Sequence, residues 1–379
     1  MPRLLPLHLR ALLFLASTAV AIALVPRFVA GWHANALFDG NRDAQDPLAR
    51  HIAHQIINHN GGVFYKSGAE RFDGQSAVAI YQMALLGLGQ TILDHPEKRD
   101  EYLPAMERAA DYLVDPQTLT YAARVYGEHA STRIGPNGGH AYVGYINMGL
   151  GMLRVIDKNT RHAALHDRIT ADLRRELFAS PTGMIETYPG ESWPPDIAVV
   201  IGSIGLHAKA TGLDIRADLD TWATRFTQCA VHEPSGYLYQ RVKTGTCKPV
   251  DAPRGSGTAI AAYAIAFAHQ DLARKLYGAL SAHGYITIAG FGGIREYAPG
   301  FAGKGDGNAG PILLGASVGA SGFGLGAARM HGDRDGYTYL YRSTALAGIP
   351  LTSGDQARYG AGGILGDALL FAMLTARRP

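Results

Sequence analysis

The sequence predicts an all-α protein, an (α/α)6 barrel or toroid with short strands in the long loops at one end. Three observations carry this. Apolar helical runs rich in glycine and alanine recur along the 379 residues. Each of the first five ends in a short polar turn, at Asp94, Asp157, Thr211, His269 and His331, so that the pattern repeats roughly every sixty residues. Behind each turn stands a second helix with charge on one face and apolar residues at helical spacing on the other.

The N-terminus is read first. Arg3 and Arg10 mark a short positive region, and residues 11–25 form an apolar run. Its length suits a signal sequence and falls short of the roughly 20 residues of a full span. Residues 1–31 are expected to be a signal peptide or an N-terminal membrane anchor, and residues 32–379 a single barrel domain. That places the body on the periplasmic or extracellular side, held at the inner membrane where the helix is retained.

The whole chain is 47% hydrophobic and 18% charged, enough for a large core. Net charge is +3 with no long basic run, which excludes nucleic acid as a partner. Nothing in the sequence argues for a particular oligomeric state. Cys229 and Cys247 flank EPSGYLYQRVKTGT, which reads as a hairpin with a disulfide across its base in an oxidising compartment. No metal or cofactor is expected. The histidines match no zinc spacing, and the glycine-rich stretch at Gly303 lacks the lysine pair of a phosphate loop.

The inner helices are SAVAIYQMALLGLGQTIL, AYVGYINMGLGMLRVI, IAVVIGSIGLHAKA, TAIAAYAIAFA, PILLGASVGASGFGLGAA and ILGDALLFAML. A helix without a polar face is buried, and small residues let such helices approach closely. The outer helices run from LARHIAHQIINH to DRDGYTYLYRSTALA. An open solenoid is the alternative, but six all-round apolar helices favour a closed ring. Between outer and inner helices lie long loops that open on glycine and an alternating stretch: NGGVFY, SPTGMIET, EPSGYLYQ and GFGGIREY. These read as a turn and a short strand.

This topology gathers the long loops and the N-termini of the inner helices at one end, where helix dipoles and free N–H groups favour anions. The richest loop is ETYPGESWPPD, with Glu186, Glu191, Asp196, Tyr188 and Trp193. Asp196 is expected at a helix N-cap, with Pro194 and Pro195 held outside the helix. Glu191 is the expected acid, its pKa raised by Trp193 and the prolines, with Asp73 or Glu296 opposite as base. Glu186 and Asp196 complete the catalytic candidates. The first loop adds Tyr65, and the second adds Tyr126, His129 and His140, with Tyr145 one turn into its helix. Tyr239, Arg254, Arg295 and Asp306 come from later loops. Aromatic faces stack on sugar rings and carboxylates bond hydroxyls, so the expected substrate is a glycan. Two carboxylates across a glycosidic bond suffice for hydrolysis. A lyase would use Tyr145 or His140 as base, with an arginine neutralising a uronate.

From about residue 72 the organisation resembles the linalool dehydratase-isomerase family. The likeness lies in AYVGYINMGLGMLRVI, in GMIETYPGESWPPDIAVVIGSIGLHAKATGLD, and in IREYAPGFAGKGDGNAGPILLGASVGASGFGLGAARMHGD with GILGDALLFAMLT. It implies an (α/α)6 barrel and a small hydroxylated apolar substrate. The family's cysteine pair falls at Glu186 and Asp196, and its histidine on the second inner helix at Tyr145. Acids in place of thiols keep acid/base chemistry and depart from the family's own. The same barrel serves glycosidases and polysaccharide lyases. A non-catalytic glycan-binding envelope protein is the reading from outside the enzymes.

Overall fold

The structure, a computed structural model, describes residues 6–58, 75–116, 118, 140–306 and 309–377. An N-terminal pair, α1 (Leu7–Ala30) and α2 (Ala34–Phe38), precedes twelve helices that alternate between an outer and an inner ring. In chain order they are α3 (Arg42–Asn58), α4 (Gln75–Asp94), α5 (Arg99–Leu113), α6 (His140–Ile156), α7 (Ala163–Ala179), α8 (Pro194–Thr211), α9 (Arg216–Ala230), α10 (Gly255–Ala264), α11 (Gln270–His283), α12 (Val318–His331), α13 (Arg334–Gly348) and α14 (Gly363–Leu374). The even-numbered members are inner. Each packs on the next, and α14 packs back on α4, so the ring closes. The solenoid alternative is excluded.

The inner helices are buried because their sequences offer no polar face. In α8 every residue from Pro194 to His207 is buried. The helices also come close. A Cβ on Gly202 would lie 2.4 Å from the Ala264 carbonyl oxygen, and one on Gly205 2.3 Å from that of Phe267. Backbone oxygens cannot swing aside, so α8 and α10 meet only through glycine. The outer helices bury one face, as their mixed sequences require. In α9 this is Leu219, Trp222, Ala223 and Phe226, each worth about 1.5–3 kcal/mol when fully buried if large.

Among the described residues, strands occur only in the long loops. β1 (Val231–His232) pairs with β2 (Tyr237–Leu238). β3 (Tyr285–Ile288), β4 (Phe291–Arg295), β5 (Ile312–Leu313) and β6 (Ala316–Ser317) form an antiparallel sheet in the order β3-β4-β6-β5. β7 (Pro350–Ser353) pairs with β8 (Gln356–Tyr359). The β3–β4 hairpin lies on α13, and β8 lies on α3.

Two local expectations are corrected. The segment 180–187 forms no strand. Gly183 turns there at φ +67°, with its Cα side pressed against the Phe226 backbone of α9, and the loop holds isolated Tyr188–Glu191 and Ser192–Val242 bridges. The Cys229–Cys247 disulfide does form, but it does not close a hairpin base. The β1–β2 turn is complete by Tyr237, so the bond ties the end of α9 to a later loop. The NGGVFY segment lies outside the described residues.

The lumen has one closed end. Tyr263 of α10 donates its hydroxyl to Gln90 Oε1 of α4 at 3.0 Å, and Gln90 Nε2 donates to the Ala372 carbonyl of α14 at 2.9 Å. α4 and α10 stand opposite each other in the ring, so this contact bridges it near the short turns. A site within the ring therefore belongs to the long-loop end.

Candidate functional site

The ETYPGESWPPD loop delivers its residues to the N-terminus of α8, but not as a capped helix with prolines outside it. Pro194 and Pro195 occupy the first two helical positions, and Trp193 is the N-cap without a side-chain bond. Proline fits there because its fixed φ is helical and its missing N–H had no partner to lose. Asp196 is consequently the third helical residue. Its backbone N–H donates to the Trp193 carbonyl at 3.0 Å, and its side chain is spent on no cap.

That side chain instead meets α6. Tyr145 donates its hydroxyl to Asp196 Oδ1 at 3.1 Å. Asp196 is 7% exposed, and the positive end of α8 favours its charge. Tyr145 is half-buried. Its pKa lies well above the ordinary tyrosine value, because of burial first and then the Asp196 charge and hydrogen bond. The pair is thus a protonated phenol held on a carboxylate.

Glu191 sits in a separate clamp. Trp193 Nε1 donates to its Oε2 at 2.8 Å, and Arg241 Nη1 to its Oε1 at 3.0 Å. The Arg241 guanidinium also lies 5.7 Å from the Trp193 ring centroid. Tyr188 packs edge-on against Trp193 at 6.0 Å and accepts from Gln75 Nε2 at 2.6 Å, which ties the loop to the first turn of α4. Glu186 accepts from the Gly190 N–H at 3.1 Å and so holds the loop's own turn.

A third cluster stands at the N-termini of α10 and α12. Glu296 is fully buried and accepts from Ser256 Oγ at 2.8 Å and Ser317 Oγ at 2.5 Å. Burial raises its pKa, opposed by those two hydroxyls and by Arg254. Arg254 Nη1 lies 2.7 Å from Asp306 and 3.7 Å from Glu296, Nη2 lies 3.4 Å from Asp251, and the Tyr297 ring lies beneath the guanidinium at 5.2 Å. One guanidinium thus serves three carboxylates. Close by, Gln240 is 3% exposed. Its Oε1 has no hydrogen-bond partner among the described residues and lies beside the positions of Gly257 and Pro195. Tyr239 packs edge-on to His232 at 5.6 Å in the same loop.

The structure therefore brings Asp196 to Tyr145, Tyr188 and Trp193 to Glu191, and Arg254 and Asp306 to Glu296. Arg295 stands apart, exposed on the outer side of β4. Tyr65, Asp73, Tyr126 and His129 lie outside the described residues, and His140 is described only as the first residue of α6. Sequence reasoning missed Gln75, Gln240, Ser256 and Ser317. Ser317 lay inside the run expected to be helical from Pro311; the structure instead forms β5 and β6 there, and Ser317 caps α12 at Val318. Among the described residues no group of three or more His, Cys, Asp or Glu is arranged to hold a metal.

No family model and no curated protein matches the chain. Solved structures do. An inactive variant of the family 76 α-1,6-mannanase from Salegentibacter sp. HEL1_6, in complex with α-1,6-mannotriose, is similar at 14% identity, covering 87% of this chain and 97% of that one with a TM-score of 0.53. The unaltered mannanase is similar at 13% identity with the same coverage and score. A family 76 glycoside hydrolase from a bovine Bacteroides thetaiotaomicron strain follows at 11% identity and a TM-score of 0.49, covering 87% of this chain and 77% of that one. The inactive mannanase carries asparagine in place of two adjacent aspartates, whereas this chain has no two adjacent aspartates anywhere. The likeness establishes the architecture: this chain has the (α/α)6-barrel fold of those glycoside hydrolases.

Proposed function

We propose that the chain is a glycan-cleaving enzyme held outside the cytoplasm by α1, with Asp196 as its reacting carboxylate. The observation that carries the reading is the Tyr145–Asp196 pair. It stands at an inner-helix N-terminus, on the side of the ring away from the Tyr263–Gln90 closure. The helix end stabilises the carboxylate's charge, and Tyr145 holds one of its oxygens. Asp196 activates water, or attacks the anomeric carbon, and Tyr145 orients it through the hydroxyl bond. Glu296 is enclosed and Glu191 is bonded at both oxygens, which leaves Asp73, a sequence candidate outside the described residues, as the acid to test. Trp193, Tyr188 and Tyr239 supply faces for sugar rings, and Gln240 an acceptor for a hydroxyl.

The anchor rests on α1. Its 24 residues span about 36 Å at 1.5 Å per residue, against a hydrocarbon core of about 30 Å. Leu12, Leu13, Phe14 and Leu15 are all exposed although successive residues point in different directions around a helix. Its C-terminal end meets α13 and the β3–β4 tip, while its described N-terminal side chains stand exposed.

The test is a screen of the purified chain against neutral and uronic-acid glycans, beside Asp196→Asn, with products read by mass spectrometry. Fragments that gain water identify a hydrolase, and unsaturated fragments a lyase. Both must vanish in Asp196→Asn. Glycan binding without turnover in either protein overturns the reading in favour of a non-catalytic binder. The dehydratase-isomerase reading is kept second for one reason: two of the three positions its resemblance marks, Tyr145 and Asp196, are hydrogen-bonded. Loss of water from a small alcohol, with all glycans untouched, would select it.

A further inference from the structure

The β3-β4-β6-β5 sheet has two unlike faces, and the pleat shows which residues belong to each. Ile294 is fully buried, and the Cβ position of Gly292 meets Tyr339 of α13, so even-numbered positions of β4 face the barrel. Odd-numbered positions, Phe291, Gly293 and Arg295, face away. The register carries this face across the sheet. Ile286 pairs with Gly293, Ile288 with Phe291, Ala316 with Arg295, and Leu313 with Ala316. Apart from Arg295 the outward face is thus wholly apolar. Ile288 is 58% exposed and Leu313 71%, and Leu314 beyond it reaches 81%.

This face adjoins the end of α1. The Cβ position of Gly290, at the β3–β4 tip, lies 2.7 Å from the Arg27 side chain, and Arg342 Nη1 donates to the Gly290 carbonyl at 3.1 Å. Phe28 and Trp32 are both exposed and pack edge-on at 5.2 Å. Arg295 lies on the face, Arg27 and Arg342 meet the β3–β4 tip at its edge, and among the described residues none of them has a carboxylate in ion-pair range. Elsewhere on the barrel most arginines are paired. An apolar face bordered by unneutralised arginines and interfacial aromatics matches an anionic lipid surface.

We propose that this sheet face is a second membrane contact. The apolar residues of β3, β4 and β5 rest at the headgroup level of an anionic bilayer, and Arg27, Arg295 and Arg342 meet lipid phosphates. The inference builds on α1 as the anchor. It adds that the barrel does not swing on a tether but lies on the bilayer by one sector. β4 runs from the Arg27 contact to Glu296, so the sector that touches lipid leads directly into the Arg254–Asp306 cluster. A glycan carried on a membrane lipid would then meet the barrel already positioned.

The test uses the full chain in vesicles of phosphatidylcholine and phosphatidylglycerol that contain a headgroup-photoreactive phospholipid, with crosslinked peptides mapped after illumination. Crosslinks are expected at 27–32 and also at 286–295 and 312–316. Ile288→Glu combined with Leu314→Glu must remove the sheet crosslinks and leave those at 27–32. Arg295→Gln must lower the sheet yield on anionic vesicles by about fivefold. Crosslinks confined to 27–32 would overturn the sheet contact while the anchor stands. Extraction of the chain by alkaline carbonate, with no lipid crosslink anywhere, would remove the anchor and this proposal together. Crosslinks joining two copies through the sheet would assign the face to a second copy and overturn the lipid assignment.

Discussion

Two carboxylates, one at each end of the barrel, are held by opposite means. Asp94 ends inner helix α4, where the helix dipole opposes a negative charge. It is held by Arg377 Nη1 at 2.6 Å, Arg329 Nη2 at 3.0 Å and Gln45 Nε2 at 3.1 Å. Asp196 begins inner helix α8, where the dipole favours the charge, and takes one bond from a tyrosine. The first carboxylate is fully committed to joining α3, α4, α12 and the segment after α14. The second is stabilised in part by the backbone of the helix it begins. Within one fold, one helix end opposes a carboxylate that side chains then hold, and another supports the carboxylate proposed for the chemistry.

The sharpest test of this contrast is paired substitution. Asp196→Asn is expected to lower kcat about 10³-fold with little change in stability, measured by turnover on the substrate found and by urea unfolding. Asp94→Ala is expected to do the reverse. It leaves Arg329 and Arg377 without their shared partner and costs about 3–5 kcal/mol, while turnover per folded molecule is kept. If Asp94→Ala abolishes turnover in folded protein, or Asp196→Asn unfolds it, the contrast fails.

Tyr145→Phe sharpens the site half. Losing a hydrogen bond to a charged group is worth about 1.5–3 kcal/mol, so kcat should fall roughly 10- to 100-fold with KM nearly unchanged. A change in KM alone would make Tyr145 a binding residue. The smallest effect concerns His166 on α7, near the short turns. It is fully buried, its ring lies edge-on to His207 at 5.0 Å, and neither nitrogen has a partner among the described residues. Burial, then the charges of His207 and Arg154, push its pKa down to about 3. The unfolded chain therefore binds a proton near pH 6.5 that the folded protein refuses. Stability is complete above that value and is lost as pH falls from about 6.5 towards 3. His166→Phe should flatten that slope, read as the difference in Tm between pH 7 and pH 4.

The architecture was legible because its cause is local. An inner helix that must be apolar on all sides declares itself within eighteen letters, and six such runs in register with polar turns leave little choice but a ring. The site was legible only in part. Asp196 was singled out, but its role was misread as a cap because proline was taken to stop a helix rather than to begin one. Glu191 looked like an acid kept from water by Trp193. Its partner Arg241 lies 50 residues away in another loop, and no spacing in the sequence announces that pair. The Tyr145–Asp196 contact joins two helices and depends on how the ring closes. Arg295 was counted with the site because it precedes Glu296, yet adjacent residues of a strand point to opposite faces.

Ring closure also sets the order in which this protein can be made. Gln90 reaches Thr375 across 285 residues, and Asp94 meets Arg377 across 283. Five inner helices can be synthesised while the gap meant for α14 still exposes the apolar side of α4. Folding is therefore dominated by contacts distant in sequence, which slows it, and a nascent chain carries an open seam until its last helix emerges. A chain destined for export would benefit from that delay, since an unclosed ring can still be threaded through a membrane and a closed one cannot.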